Sequence, residues 1–356
     1  MTAEAPGPLA VDRRAQVLDV LQRTGSARVS ELTEALGVTA VTVRRDIAQL
    51  AAEGLVRRVH GGVTLLTGAA DDAAAADGAP RGSTVGMLVP SLDYYWPGVA
   101  RGVEAAARAH GLGVVLRGSS YDSDDDRPQL ERLVELVGSG GLVVAPRTDT
   151  PTAAATLAWL AATGVPTVLA ERSAGATAFD TVHSDHAEGA EAAVRHLVGL
   201  GHRRLGLVVS AHSPTGPNLR RGWLDATAGV TRTVDVATPD PGRPGWDDAV
   251  AGIVDQCRAT GTTALLVHAD ATAVALVQAF EQHGVDVPRD LSLVAYDDEV
   301  AGLFSPPLTA VRPHRHALGR AAVALLTARL ADPGRPTHRV QITPSLRIRD
   351  STAAPR

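Results

Sequence analysis

A regular alternation of short apolar strands with amphipathic helices begins at Thr84 and continues almost to the C-terminus. Continuous apolar strands separated by helices are typical of parallel sheets that are covered on both faces. The alternation occurs as two series, so it predicts an α/β fold with two doubly wound lobes. The predicted strands lie at residues 85–90, 113–116, 142–145 and 166–170 in the first series, and at 205–209, 264–267 and 291–296 in the second.

Polar residues at the strand ends are the candidates for a ligand site, because ligands of such sheets bind beyond the carboxyl ends of the strands. Asp93, Tyr95 and Trp96 follow the first strand, and a carboxylate beside aromatic rings suits the hydroxyls and the apolar face of a sugar. The rings have an alternative role as core residues or at a dimer surface. Arg172 follows the fourth strand and suits a hydroxyl, an acid group or a salt bridge at the hinge.

The second series ends on three further carboxylates. Asp270 follows the strand over 264–267 in the stretch HAD, and Asp297 follows the strand over 291–296. Asp297 is the strongest single candidate for the cleft, with capping of the next helix as the alternative. We expect Asp298 to have a structural partner.

Residues 1–66 predict a separate helical domain that ends in a short hairpin. A first helix from about Asp12 to Arg23 is followed by a second helix, capped by Ser30, with Leu32, Ala35 and Leu36 inward. Thr39 can cap a third helix that runs to about Glu53. Helix, glycine turn and helix is the helix-turn-helix layout, and the β-type stretch with Gly61 and Gly62 suits a wing.

The basic residues of this domain are clustered rather than abundant. Residues 41–66 hold four arginines against two acidic residues, although the whole chain carries a net charge of −5. Arginine binds guanine edges and phosphates, so the cluster favours DNA binding. A solvated helix face with an internal arginine–aspartate pair is the alternative.

A linker is predicted over residues 67–83, TGAADDAAAADGAPRGS, because small and acidic residues bury too little apolar surface to fold alone. The alanine run leaves a helix open as the alternative.

The N-terminal domain (residues 1–66), which we call the head, resembles the DeoR-type winged helix-turn-helix over residues 13–63. The resemblance is carried by the stretch VTAVTVRRDIAQLAAEGLVRRVHGGV. The resemblance implies that Thr42, Arg44 and Arg45 face the major groove of DNA. It also implies that Arg57, Arg58 and His60 lie by the DNA backbone or the minor groove.

Residues 84–351 resemble the effector domain of LacI-type repressors, which is itself similar to periplasmic sugar-binding proteins. The stretches that carry the resemblance include HSDHAEGAEAAVRHLVGLGHRRLGLV and GVDVPRDLSLVAYDDEVAGLFSPPLTAVRP. The resemblance implies a first lobe over about 84–182 and 312–337, and a second lobe over about 183–311 and 338–351. The effector is expected between the lobes.

The same resemblance adds two site residues and shows departures from the family pattern. Asp185 stands where the family has aspartate followed by asparagine. Ala269 replaces an expected asparagine, so one ligand contact is absent. The expected second-lobe arginine falls on Leu219 in NLRRGW, and Arg220 is the nearest candidate.

The sequence excludes several kinds of chemistry. There is no lysine, which excludes lysine Schiff bases and a P-loop lysine, and the single Cys257 excludes an internal disulfide and a cysteine-rich metal site. His183, His212, His268, His314 and His316 have no convincing metal-ligand spacing and are interpreted as loop and surface residues. We therefore expect no cofactor and no metal.

The resulting hypothesis is a cytoplasmic regulator, most consistent with a repressor, that binds operator DNA as a homodimer or a dimer of dimers and responds to a carbohydrate-like effector. No membrane span and no signal peptide are expected. The alternatives are a sugar-processing enzyme on an α/β scaffold and a solute-binding protein.

Overall fold

The computed structural model describes residues 16–17, 20–21, 26–36, 38–52, 56–59, 62–65, 84–92, 95–121, 123–138, 140–172 and 179–356. The chain divides into two compact units, Met1–Gly78 and Ala79–Arg356. The linker predicted over residues 67–83 lies outside the described residues. Among the helices that the structure describes, none combines the length and the apolar character needed to span a bilayer.

The first unit holds a small antiparallel sheet and helices, as the helix-turn-helix prediction requires. Its strands pair in the order β1-β3-β2, so that β2 and β3 form the predicted hairpin. Residues 16–17 and 20–21 are also helical and lie within the predicted first helix. The bounds are β1 (Ser26–Arg28), α1 (Val29–Leu36), α2 (Ala40–Ala52), β2 (Val56–Val59) and β3 (Gly62–Leu65).

Helix α1 begins differently from the prediction. Ser30 lies inside the helix, which starts at Val29, so the predicted serine cap is wrong. The Glu31 carboxylate accepts a hydrogen bond from the backbone N of Arg28 at 2.8 Å instead, which satisfies an amide at the helix start. Of the residues predicted to face inward, Leu32 is buried, whereas Ala35 is exposed.

The second unit contains two lobes, each built on a six-stranded sheet. The sheet of the first lobe is parallel throughout and has the order β14-β8-β7-β6-β4-β5. Its elements are β4 (Thr84–Val89), α3 (Tyr95–Ala109), β5 (Gly113–Gly118), α4 (Arg127–Val137), β6 (Gly141–Val144), α5 (Ala153–Ala162), β7 (Thr167–Ala170), β8 (Asp180–Ser184), α10 (Arg315–Ala331) and β14 (Arg339–Ile342).

The sheet of the second lobe has the order β10-β9-β11-β12-β13-β15 and is parallel except for the antiparallel β13–β15 pair. Its elements are α6 (His186–Gly199), β9 (Arg204–Ser210), α7 (Gly216–Ala226), β10 (Thr231–Thr238), α8 (Trp246–Thr260), β11 (Ala264–Val267), α9 (Asp270–Gln282), β12 (Ser292–Tyr296), a 3-10 turn (Ala301–Leu303), β13 (Thr309–Arg312) and β15 (Ser345–Arg347).

Each sheet has apolar side chains packed on both faces, which is why its central strands are apolar throughout. In the first lobe, Met87 and Val143 pack against helices α3 and α10, and Leu88 and Leu142 pack on the opposite face. The second lobe repeats this layering with two further clusters. Burial on both faces explains why the strands β4, β6, β7, β11 and β12 were predictable from runs of apolar residues.

The chain crosses between the lobes three times, after β8, β13 and β14. The predicted lobe boundary at residue 338 is wrong for one strand, because β14 pairs with β8 in the sheet of the first lobe. Only β15, which pairs with β13, joins the second lobe. β14 alternates partly buried and exposed residues, so its sequence does not indicate a sheet covered on both faces.

Candidate functional site

The start of helix α2 holds the residues that we predicted to meet DNA. Thr39 Oγ1 accepts a hydrogen bond from the backbone N of Thr42 at 3.3 Å, and the two hydroxyls lie 2.9 Å apart. This is the N-cap geometry predicted for Thr39. Val43, Ile47 and Leu50 are buried and form the inner face of the helix.

Arg45 is exposed on helix α2, away from that inner face. Thr42 is half-buried beside the cap. The side chains of Arg44, Arg57 and Arg58, and the whole of His60, lie outside the described residues. Contacts of these basic side chains with DNA therefore stay a prediction.

A cavity of about 1190 Å³ lies at the carboxyl ends of the strands, between the two lobes, and we call it the cleft. Small-molecule sites usually have roughly 300–1,000 Å³, so the cleft is large enough for a saccharide. Four of the residues predicted to bind the ligand line it: Tyr95, Trp96, Arg172 and Asp297. Asp93 lies outside the described residues.

Asp297 lines the cleft in a strained backbone conformation directly after β12. Its φ of 97° lies in the left-handed region, which costs about 1–3 kcal/mol for such a residue and persists only when the surroundings hold it. Its backbone N donates to Val311 O at 2.9 Å, and its carbonyl O accepts from Arg315 Nη1 at 2.6 Å. The side chain is 16% exposed, so its carboxylate is presented to the cleft from a fixed position.

Asp270, which we predicted to contact the ligand, does not line the cleft. It is 2% exposed, and its carboxylate accepts hydrogen bonds from four consecutive backbone amides, those of residues 298–301, at 2.6 to 3.2 Å. A carboxylate with its lone pairs used in this way has little left to offer a ligand. Asp270 therefore positions the loop that follows Asp297.

Glu171 is the centre of a buried hydrogen-bond network that we did not predict. Its carboxylate accepts from the hydroxyls of Tyr95 and Ser184 and, at 3.0 Å, from the backbone N of Ser184. His186 Nε2 lies 3.3 Å from the same carboxylate. Burial by itself raises the pKa of Glu171, but the bonds from His186, Tyr95 and Ser184 outweigh it and lower the pKa to about 2. Glu171 is therefore ionised, and its acceptors are occupied by the protein.

The aromatic wall of the cleft is only partly open. Trp96 is 3% exposed and packs in the core of the first lobe. Most of its surface is therefore that of a core residue, which was the alternative to a ligand contact. Its indole Nε1 donates to the hydroxyl of Tyr121 at 3.0 Å. The guanidinium of Arg172 lies 5.7 Å from its ring centroid, within cation–π range.

Arg172 is buried, with 4% of its surface exposed. Its guanidinium donates to two backbone carbonyls, Pro146 O at 2.7 Å and Glu171 O at 2.8 Å. The remaining nitrogen, Nη2, is buried and has no hydrogen-bond partner among the described residues. A buried donor without a partner costs about 1–3 kcal/mol, so an acceptor brought to this nitrogen would remove that cost.

Two residues of the second lobe were not predicted as site residues, and one of them, His268, lines the cleft. His268 lies in the loop after β11, as interpreted, but it is buried, with 5% exposed, rather than at the surface, and its Nε2 lies 3.9 Å from Asp297 Oδ2. Burial and then the nearby His186 lower the pKa of His268 to about 3, which keeps it neutral. Tyr296 is fully buried, and its hydroxyl lies 3.0 Å from His186 Nδ1.

Glu171 and His268 follow strand ends, as Asp297 does. Their position after a strand predicts that they lie at the ligand-binding edge of the sheet, but no signal in the sequence distinguishes them from their neighbours. The network forms across elements that are distant in sequence, so only the folded chain brings it together.

Arg220 lies outside the cleft, contrary to the prediction. Helix α7 packs so closely on α6 that a Cβ at Gly222 would lie 2.1 Å from Ala187 O, which fixes the rotation of the helix. Arg220 forms an ion pair with Asp235 at 2.8 Å. Its neighbour Arg221, about 100° further round the helix, lines a second cavity instead.

The second cavity adjoins the cleft and has a volume of about 480 Å³. We call it the side cavity. Asp185, predicted as a ligand contact, lines the side cavity rather than the cleft, and its Oδ1 caps helix α6 by accepting from Glu188 N at 3.0 Å. The side cavity is lined by Thr148, Glu171, Arg172, Thr181, His183, Ser184, Asp185, His186, Pro214, Thr215, Asn218, Arg221, Arg339 and Gln341.

Comparison with known families covers both parts of the chain. Residues 194–352 match a family described as a periplasmic binding protein-like domain. Residues 13–68 match a DeoR-like helix-turn-helix domain.

Several known sequences and solved structures are similar to the chain over most of its length. An uncharacterized HTH-type transcriptional regulator in the aml 5' region of Streptomyces limosus is 32% identical over 281 residues, which are 76% of this chain and 78% of that protein. The ribose operon repressor of Escherichia coli is 26% identical over 334 residues, 91% of this chain and 99% of that one. A LacI family regulator from Enterococcus faecium, solved with bound ribose, has 20% identity and a TM-score of 0.64, and the match covers 77% of this chain and all (100%) of that one.

Proposed function

The chain belongs to the LacI-type family of transcriptional regulators and carries a DeoR-type helix-turn-helix head, and from this premise we propose that it is a repressor controlled by a sugar or sugar derivative. The effector binds in the cleft and changes the affinity of the head for operator DNA. The observation that carries the proposal is the composition of the cleft: an acceptor at Asp297, a donor without a partner at Arg172 Nη2, and the aromatic rings of Tyr95 and Trp96.

This set of groups matches the chemistry of a sugar. Hydroxyls donate to the Asp297 carboxylate and accept from Arg172, and the apolar face of a pyranose or furanose ring packs on aromatic carbon. The E. coli relative is named a ribose operon repressor, and the E. faecium structure contains ribose. Both names support an effector of this class.

Control of DNA binding follows from the placement of the cleft residues on both lobes. Arg172 belongs to the first lobe and Asp297 to the second, so a ligand that bonds both stabilises a closed arrangement. A ligand with higher affinity for the closed state shifts the population towards it. Closure in turn changes the relative placement of two DNA-binding heads in a homodimer. We propose that this occurs in the cytoplasm, where operator DNA is accessible.

We propose that the cleft does not catalyse a reaction on the sugar. A glycosidase-type site needs two carboxyl groups that face the same bond. The carboxylate of Glu171 is occupied by its own network, and Asp298 is held by Arg312 at 2.6 Å and Arg349 at 2.8 Å. His268, with its pKa of about 3, is a poor base at neutral pH.

The proposed function is tested by joining DNA selection with ligand screening. Selection from a random duplex pool with the full-length protein is expected to enrich a near-palindrome with half-sites about 10 bp apart or a multiple of this. Thermal shift against aldoses, polyols and their phosphates identifies binders, since a ligand at a hundredfold excess over Kd stabilises by about 2.7 kcal/mol. A binder should change the DNA affinity in fluorescence anisotropy. The proposal fails if no duplex is enriched, or if no binder alters DNA affinity.

Arg45→Ala is expected to weaken operator binding roughly 10- to 100-fold, because one arginine contact to a base edge contributes about 1–3 kcal/mol. Anisotropy titrations at several salt concentrations measure both the affinity and its salt dependence. Arg289→Ala, an exposed ion-paired arginine of the second lobe, serves as the control and should leave binding unchanged. Equal affinity of Arg45→Ala and the native protein at both low and high salt would contradict the assignment.

Effector affinity is expected to fall as the pH falls through about 7. The pKa of Asp297 is raised to about 7, mainly by loss of solvation on burial and to a smaller extent by the nearby carboxylate of Asp270. A hydroxyl donates to the ionised carboxylate but not to its protonated oxygen, so ligand binding favours the ionised form. Below this pKa the affinity should drop by up to about tenfold per pH unit, and above it the affinity should be constant.

Calorimetric titration with ribose, or with any other sugar that the thermal shift identifies, checks this slope between about pH 5.5 and 8.5. Asp297→Asn should remove the slope, which assigns it to this carboxyl group. An affinity that rises as the solution is acidified would argue against a carboxylate acceptor.

A further inference from the structure

The side cavity carries an excess of positive charge. Three guanidinium groups line it, those of Arg172, Arg221 and Arg339, against two carboxylates, those of Glu171 and Asp185. Arg221 comes from helix α7 of the second lobe, and Arg339 comes from β14 of the first lobe. The cavity therefore lies between positive side chains of both lobes.

The two carboxylates are engaged by other groups. Glu171 accepts from Tyr95, Ser184 and His186, and Asp185 accepts from the backbone N of Glu188 at 3.0 Å. Their capacity to bind a cationic ligand is correspondingly reduced. A negatively charged group thus meets the guanidinium groups in the side cavity with limited competition from the acids of its wall.

Two helices also point their N-terminal ends at the side cavity. Helix α6 begins at His186 and helix α7 begins at Gly216, directly after Pro214 and Thr215 of the cavity wall. The N-terminus of a helix carries a partial positive charge and free amide donors, both of which favour anions. This field adds to the charge of the arginines.

Arg172 Nη2 is a separate observation that points to a ligand, because this donor lacks an acceptor in the part of the chain that the structure describes. This nitrogen is buried and has no hydrogen-bond partner among the described residues, in a side chain that is 4% exposed. Arg172 lines both cavities, together with Glu171, His186, Pro214 and Thr215. A single ligand can therefore occupy the cleft, contact Arg172 and extend into the side cavity.

We propose that the side cavity binds an anionic group, a phosphate or a carboxylate, that is attached to the effector whose sugar ring occupies the cleft. The effector is then a phosphorylated or acidic sugar rather than a neutral one. This inference rests on the proposed function, since it specifies the effector of the same cleft. Arg221 and Arg339 bind the anionic group, and Arg172 bonds the ligand at the junction of the two cavities.

The proposal is tested by calorimetric titration of the full-length protein with matched pairs: ribose and ribose 5-phosphate, glucose and glucose 6-phosphate, and glucose and glucuronate. Inorganic phosphate alone is a further probe. Charge-assisted bonds of this kind change affinity roughly 10- to 100-fold. At least one anionic member should therefore bind at least about tenfold more tightly than its neutral parent.

The variant Arg221→Gln should remove most of that preference and leave the affinity for the neutral parent nearly unchanged. Arg220→Gln is the matched control, because the neighbouring arginine pairs with Asp235 and lines neither cavity, and it should retain the preference. Far-ultraviolet circular dichroism and thermal melting check that both variants fold.

The proposal is overturned if neutral sugars bind as tightly as their anionic partners, if Arg221→Gln retains the preference, or if no probe binds. Binding of inorganic phosphate that depends on Arg221, without any preference among the sugar pairs, would also overturn it and would identify a free anion as the ligand. These measurements involve no DNA, so failure of the side-cavity proposal is distinguishable from failure of the proposed regulation.

Discussion

Asp297→Ala is expected to abolish the response to the effector and to leave the affinity for operator DNA close to that of the native protein. Asp297 is a cleft carboxylate of the second lobe with a fixed position and an accessible surface. Each hydrogen bond from a ligand hydroxyl to a charged acceptor contributes about 1.5–3 kcal/mol. Loss of two such bonds lowers the affinity by roughly 100-fold or more.

The stability of the variants separates this effect from simple unfolding. Because the pKa of Asp297 is raised to about 7 in the folded protein, the ionised form is disfavoured by folding, and stability declines as the pH rises from the ordinary pKa of an aspartate to that value. Asp297→Asn removes this cost. At pH values above about 7, it should therefore melt at the same temperature as the native protein or higher while it binds the effector more weakly.

Calorimetry for the effector and anisotropy for DNA measure the two affinities of Asp297→Ala independently. Asp290→Ala, which removes an exposed carboxylate of the same lobe, is the control and should behave as the native protein in both assays. Retention of effector binding by Asp297→Ala would exclude this carboxylate as the principal acceptor. If Asp297→Ala lost DNA binding but kept effector binding, the assignment of Asp297 to the effector site would be contradicted.

Asp270→Ala is expected to lower the free energy of unfolding by about 3–5 kcal/mol, because several backbone amides lose their acceptor at once and a buried donor without a partner costs about 1–3 kcal/mol. The four amides belong to residues 298–301. The left-handed conformations of Asp297 and Asp298, with φ of 97° and 53°, depend on this anchored loop. Effector binding should weaken as well, although Asp270 does not line the cleft.

Urea unfolding at pH 8 measures the loss, and Asp270→Asn is the informative partner variant. Asparagine keeps one acceptor oxygen in the same place, so it should lose less stability than alanine and retain more effector binding. Asp290→Ala again controls for loss of a surface carboxylate in the same lobe. If Asp270→Ala unfolds at the native urea concentration but loses the effector, then Asp270 contacts the ligand directly, as the sequence first suggested.

The sequence predicted the site well wherever a single local signal was enough. Thr39 caps helix α2, and Val43, Ile47 and Leu50 face inward, because a capping hydroxyl and a helical period of apolar residues act within a few residues of each other. Asp297 was predictable for a similar reason, since it directly follows an apolar strand at the ligand-binding edge of a parallel sheet.

The same rule failed where two residues with the same local setting have different roles. Asp270 and Asp297 both follow strands of the second lobe closely, yet one faces the loop amides and the other faces the cleft. Arg220 and Arg221 are neighbours on one helix, and the contact of Gly222 with Ala187 decides which of them lines a cavity. Neither choice is encoded in local spacing.

The helical head, the two lobes and the cleft between them could be predicted from the sequence, because apolar periodicity and strand-end polarity are properties of short segments. The buried network of Glu171, His186 and Tyr296, and the place of β14 in the sheet of the first lobe, could not be predicted in this way. These contacts join residues that are far apart in the chain. Their geometry depends on the packing of whole helices and sheets, which sets side-chain direction and burial together.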